Sequence, residues 1–220
     1  MTDLPTLSGP EMRPASGGAA KQLVVFVHGY GADGNDLISL GQYFAHAAPD
    51  AAFVSPNAPY RCAGSPFGYQ WYDVWMQDRE QRLAAIRNAA AIFDNFLTQQ
   101  MTARGLTEDK VVLVGFSQGT MISLFVAPRR SSPVAGIVGY SGRMEAPDVL
   151  QGELKSKPPV VLVHGDSDEL LAVSEMETAA AALRGCGVPV ETHVRPGLGH
   201  GIDEAGIRIG LEFVQRVLGP

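Results

Sequence analysis

The sequence predicts an α/β fold: a mainly parallel, doubly wound sheet with helices on both faces. Short apolar runs recur at residues 23–27, 52–55, 111–115, 135–140, 160–164 and 190–194, most of them bounded by Gly, Pro, Ser or Asn. Near-continuous hydrophobicity of that kind suits strands covered on both faces. Helical patterns lie between the runs, and alternation of strand and helix points to a parallel sheet. A chain of 220 residues, 45% of them hydrophobic, buries about 70% of the surface its unfolded form exposes, enough for one well-packed domain.

Along the chain, residues 1–20 form a polar, Pro/Gly-rich lead-in, expected to be poorly ordered, with no apolar stretch of signal-peptide length. The domain is expected over residues 21–220. The first strand runs into Gly29-Tyr30-Gly31-Ala32-Asp33-Gly34 and a helix start with Asn35 or Asp36 as cap. Residues 79–98 place Leu83, Ile86, Ala90, Phe93 and Leu97 on one helical stripe. Residues 118–127 are apolar almost all round, as for a helix packed centrally on a sheet, and Pro128 stops them. A helix over 175–184 is expected to end at Gly185 as a left-handed cap. The last, over 203–218, aligns Ile207, Leu211, Val214 and Leu218.

Composition excludes several classes. A net charge of −6 without a basic patch argues against nucleic acid as partner. No apolar span approaches the length of a membrane helix, so no stable membrane anchoring is expected. Cys62 and Cys186 follow no metal or redox spacing and read as reduced thiols of a cytoplasmic protein. Neither H-E-x-x-H nor a histidine cluster occurs, so no metal is assigned.

The chemistry concentrates at Gly115-Phe116-Ser117-Gln118-Gly119, a G-x-S-x-G between a buried strand and a buried helix. Its glycines permit the sharp turn and close strand–helix approach that lift a serine to the sheet edge. A hydroxyl becomes a good nucleophile only beside a base. For a serine on such a turn the expected chain order is Ser, acid, His. Only His164, His193 and His200 follow Ser117. His164 ends an apolar strand and His193 lies inside one. His200 sits in the glycine-rich loop 196–201, which can swing an imidazole over the sheet edge, and is the expected base. The acid should follow the preceding strand, where Asp166 and Asp168 both qualify and Glu169 is a weaker third. Asp168, deeper in the loop, is favoured because it must reach the far imidazole nitrogen; Asp166 is expected to support the turn.

The G-x-G-x-x-G at 29–34 has two readings. A dinucleotide site needs a carboxylate at the end of the second strand, where Pro56-Asn57 stand instead, and Asp33 and Asp36 would repel a pyrophosphate. The alternative is a loop presenting a backbone N–H to a carbonyl oxygen turning negative, with Gln118 N–H as the other donor. The second reading is adopted, with His28 shaping the loop.

With these pieces placed, the chain resembles the phospholipase/carboxylesterase family of α/β-hydrolases, which includes acyl-protein thioesterases. The resemblance spans about residues 21–218 and rests on His28-Gly29-Tyr30-Gly31-Ala32-Asp33, the G-F-S-Q-G pentapeptide, His164-Gly165-Asp166-Ser167-Asp168, Gly199-His200 and Gln70-Trp71-Tyr72-Asp73. It implies a cofactor-free, cytosolic enzyme without a large lid that hydrolyses carboxylic esters of small-molecule substrates. Ser117 would be nucleophile, Asp168 acid and His200 base, with the Tyr30 and Gln118 amides as oxyanion hole. Acyl thioesters and lysophospholipids are the alternative substrates, and a homodimer is compatible with the resemblance. Where relatives often carry prolines beside the acid, this chain has Asp168-Glu169-Leu170-Leu171-Ala172, which bears on the nearby acyl groove. Trp71, Tyr72 and Trp75 are candidate walls of that groove. A hydrolase-fold binding protein without turnover would be expected to lack a triad member, and none is lacking.

Overall fold

A computed structural model describes residues 4–219. The strands are β1 (Glu11–Met12), β2 (Gln22–Val27), β3 (Ala51–Val54), β4 (Tyr60–Arg61), β5 (Tyr69–Gln70), β6 (Val111–Phe116), β7 (Gly136–Tyr140), β8 (Val160–Gly165) and β9 (Val190–Arg195). Seven of them form one sheet in the order β1-β3-β2-β6-β7-β8-β9. Every neighbour pair is parallel except β1 with β3.

The six apolar runs all become strands. Their alternate side chains face opposite ways, so every run but the last supplies two layers of core; edge strand β9 adds only Val190 to one of them and leaves Val194 exposed. Leu23, Val25 and Val27 join one cluster with Leu113, Ile137 and Leu162. Val24 and Phe26 join the other with Val112, Val114, Val138 and Val163. The first layer is covered by α3 (Arg79–Arg104), α4 (Gln118–Val126) and α6 (Ser174–Gly185). The second is covered by α2 (Gly41–Ala47) and α7 (Glu204–Leu218). Two short helices, α1 (Asn35–Ile38) and α5 (Pro147–Glu153), complete the set.

Several local readings change. Within the segment expected as a poorly ordered lead-in, Glu11–Met12 pairs with Val54 and Phe53, Ser55 N–H donates to Pro10 O, and Leu7 is buried. The lead-in thereby covers an edge of β3 that would otherwise expose unpaired backbone groups. Helix α3 continues past residue 98 because Met101 extends the buried stripe of Phe93 and Leu97, and it stops at Gly105, whose φ of 65° suits a left-handed cap. At the end of α6, Gly185 is still helical, and the positive-φ glycine is Gly187, two residues beyond. Neither Asn35 nor Asp36 caps α1; the carboxylate of Asp33 accepts the Asn35 N–H at 2.8 Å.

The chain leaves β2 for β3 on one side and returns to β6 on the other. The carboxyl ends of β2 and β6 therefore flank a switch in strand order, where open α/β sheets form a crevice. Helix α4 reaches that crevice only because Gly119 has no side chain: a Cβ there would overlap the carbonyl oxygen of Val27.

Candidate active site

Ser117 joins β6 to α4 with φ 52° and ψ −117°, one of three non-glycine residues with positive φ among those described. Such a conformation costs about 1–3 kcal/mol and persists only where its surroundings impose it. Here Ser117 N–H donates to Tyr140 O at 2.9 Å, and Thr120 Oγ1 lies 2.8 Å from Gly115 O and 2.9 Å from Tyr140 O. The turn is thus held from β7 and from the first turn of α4.

Gln118 opens α4, so its N–H has no intrahelical acceptor. Across the crevice, a Cβ on Gly29 would stand 3.3 Å from Ser117 Cβ, which places the 28–31 loop directly against the serine. The short hairpin of β4 and β5 braces this loop: Gly31 N–H donates to Tyr69 O and Tyr69 N–H to Ala32 O, at 2.9 and 2.7 Å. The Tyr30 N–H has no acceptor among the described residues. Two amides, on either side of Ser117, are therefore available to a developing oxyanion.

His28 is fully buried and does shape the loop. Its Nε2 accepts the Ala58 N–H at 3.0 Å, so Nδ1 carries the proton and donates to Gly29 O at 2.8 Å. Burial pushes this imidazole below 6.5, outweighing the upward pull of the Gly29 carbonyl, Asp36 and Asp33. It is a fixed neutral strut.

On the other side of the site, His200 donates from Nδ1 to Asp168 Oδ2 at 2.7 Å, leaving Nε2 as an acceptor. The other carboxylate oxygen, Oδ1, accepts the N–H groups of Leu170 and Leu171, both at 2.9 Å. Burial raises the Asp168 carboxyl, but the Leu171 amide, the His200 imidazole and the Leu170 amide outweigh it and hold the group below the ordinary carboxylate range. The His200 ring packs on Phe116, centroids 5.0 Å apart, and so lies beside the residue preceding Ser117. Among the described residues no hydrogen bond joins Ser117 to His200, an arrangement that substrate commonly tightens. Asp166 takes the supporting position: its Oδ1 accepts the Gly197 N–H at 2.7 Å and ties the acid loop to the histidine loop. Gly165 lets those loops meet, since a Cβ there would overlap Leu198 O.

Two of the three aromatic residues expected as groove walls are not at the surface. Trp71 and Tyr72 are 0% and 1% exposed. Trp71 packs edge-on against Phe93 and donates from Nε1 to His28 O at 3.0 Å. The Gln118 side chain bonds both backbones, accepting Trp71 N–H at 2.9 Å and donating to Tyr72 O at 2.7 Å. These aromatics back the site from below because their polar ends find partners in the interior. Trp75 is 71% exposed and donates to the Tyr30 hydroxyl at 3.3 Å, at the mouth.

Sequence reasoning passed over an ion pair in the loop after β7, between a half-buried Arg143 and a buried Glu145. Gly142 lies against Ser117 O, and one residue on Arg143 donates from Nε and Nη2 to Glu145 Oε1 at 2.9 and 2.7 Å. Glu145 also accepts from Tyr72 Oη at 3.3 Å. Burial, then Glu145, pushes the Tyr72 phenol well above its ordinary value. The only sequence signal was two opposite charges in a short loop after a buried strand. A cleft of about 310 Å³ opens beside this pair, and one of about 230 Å³ lies between Phe116, Ile202, Leu37 and Leu40. Among the described residues no cluster of His, Cys, Asp and Glu could hold a metal ion, and no helix is long and apolar enough to cross a membrane.

A parallel sheet with helices on both faces, a strained serine on a strand–helix turn and an Asp–His pair on later loops define an α/β-hydrolase fold. Comparison with known proteins narrows the class. The model of the Phospholipase/Carboxylesterase family matches residues 14–218, and the chain belongs to that family. It is 42% identical to the solved structure of esterase PE8, with a TM-score of 0.91, covering 97% of this chain and 100% of that one. Esterase YpfH of Escherichia coli is 25% identical over 89% of this chain and 83% of its own. Acyl-protein thioesterase 1 of Aspergillus fumigatus is 28% identical over 90% and 88%. The protein is a carboxylic ester hydrolase.

Proposed function

We propose that the protein is a serine carboxylesterase acting on esters of small to medium acyl chains through an acyl-enzyme. Ser117 attacks the ester carbonyl while His200 Nε2 takes its proton, and Asp168 stabilises the imidazolium that forms. The oxyanion sits between the Tyr30 and Gln118 amides. His200 then protonates the departing alcohol, and water deprotonated by His200 releases the acid and frees Ser117.

The observation that carries this reading is the 2.7 Å bond from His200 to a buried Asp168, on loops flanking a strained serine. The acyl-size assignment is supported by the apolar cleft of about 230 Å³ lined by Leu37, Leu40, Ile202 and Phe116, the last packed on the His200 ring, a volume below the usual range of small-molecule sites. Ser117→Ala should lower kcat on p-nitrophenyl butyrate by ~10⁴-fold or more with the fold retained; undiminished turnover would remove Ser117 from the mechanism. Thioesterases among the relatives make acyl thioesters the competing substrate class. A panel of p-nitrophenyl esters from short to long chains, with an acyl thioester and a lysophospholipid beside them, separates the two by kcat/KM.

A further inference from the structure

His164, the histidine that the Ser–Asp–His assignment leaves unused, occupies the penultimate position of β8, four residues before Asp168. Its side chain is 1% exposed. Its Nε2 lies 2.8 Å from Leu171 O and 3.2 Å from Asp168 Oδ2, the same oxygen that His200 engages. Both neighbours are acceptors, so Nε2 carries the proton; its N–H donates to Leu171 O and faces Asp168 Oδ2 as a close polar contact.

We propose that His164 is a positioning residue that locks the Asp168 carboxylate on the line to His200. The carboxylate is fully buried, so solvent does not hold it. Oδ1 is fixed by the Leu170 and Leu171 amides, and the Nε2–H of His164, 3.2 Å from Oδ2, attracts it electrostatically, which leaves Oδ2 directed at His200 Nδ1. By taking the Leu171 carbonyl as well, His164 joins both ends of the 168–171 turn and ties them to β8. Removing this donor takes away the positive pole facing Oδ2 and leaves the Leu171 carbonyl without its partner, so the carboxylate can turn from His200. Catalytic groups tolerate displacements of only about 0.5 Å. Substrate does not touch His164, so the effect falls on kcat and not on KM.

The proposal rests on the triad reading, and the experiment keeps the two apart. In the full chain, His164→Met removes the N–H, and His164→Gln returns an amide N–H at the position of Nε2. With p-nitrophenyl butyrate, His164→Met should lower kcat by about 10- to 100-fold with KM within about twofold, and His164→Gln should recover most of the loss. Histidine ¹⁵N–¹H NMR of the unmutated protein should show His164 protonated at Nε2; this decides the matter even where His164→Met does not fold. Unchanged kcat in a folded His164→Met, equal impairment of both variants, or a proton on Nδ1 would overturn the role. Should Ser117→Ala remain active, the triad itself fails; should it be silent while His164→Met is unimpaired, only the positioning role fails.

Discussion

The two halves of the site are fixed by different physics. Ser117 is held by backbone: strand β6 pairs on both sides, Gly119 lets α4 touch the Val27 carbonyl, and the turn adopts a strained φ that nothing nearby can relax. Asp168 and His200 sit on ordinary loop backbone that meets beside Gly165, and their side chains are held mainly by hydrogen bonds, from the 170–171 amides and between each other, with Asp166 bridging the loops. Close packing tolerates almost no substitution, whereas a hydrogen-bonded loop degrades in steps. The backbone packing around the nucleophile should therefore fail by unfolding when it is breached, and the acid–base pair by losing rate in a folded protein.

The largest contrast should come from Gly119→Val. Its side chain has no room beside Val27 O, and urea unfolding should show a loss above about 4 kcal/mol or no folded protein at all. A stable Gly119→Val would mean that α4 is not locked by backbone contact. Next, Asp168→Asn should keep the fold and lose ~10³- to 10⁴-fold in kcat, while Asp166→Asn should lose less than about tenfold and about 1 kcal/mol of stability. Equal rate losses in the two would erase the distinction between acid and support.

A smaller effect is expected from Ser117→Gly, which relieves the positive φ and should stabilise the protein by about 1 kcal/mol while abolishing turnover. A destabilised variant would show that the serine is not strained. The smallest concerns pH. The Asp168 carboxyl is depressed in the folded protein, so its contribution to stability is full above the unfolded value of 3.8 and is lost as pH falls through the lower folded value. Urea unfolding followed from pH 5 downwards should be less steep in Asp168→Asn than in the unmutated protein.

The same contrast decides what could be read from the sequence. Gly115-Phe116-Ser117-Gln118-Gly119 is legible because backbone sterics demand particular residues at particular spacing. Strands β2, β3, β6, β7 and β8 are legible because burial on both faces requires unbroken apolar runs, whereas β9, at the edge, shows only alternation. The hairpin β4–β5 and helices α2 and α5 were not legible, being short, with their places set by contacts distant in sequence, such as Gly31 N–H to Tyr69 O. Asp166 and Asp168 were separable only by loop depth, since nothing in His164-Gly165-Asp166-Ser167-Asp168 states which carboxylate turns inward. Trp71 and Tyr72 look like pocket walls by type; that Gln118 would draw their backbones into the interior depends on a contact across 46 or 47 residues.

The central claim is that Ser117, Asp168 and His200 act as one unit. The most direct test is peptide mass spectrometry after labelling with a fluorophosphonate, with the labelling rate compared across the unmutated protein, Asp168→Asn and Asp166→Asn. A single adduct on Ser117 is predicted, formed far more slowly in Asp168→Asn and at nearly the unmutated rate in Asp166→Asn. An adduct on another residue, or labelling of Ser117 indifferent to Asp168, would contradict the account.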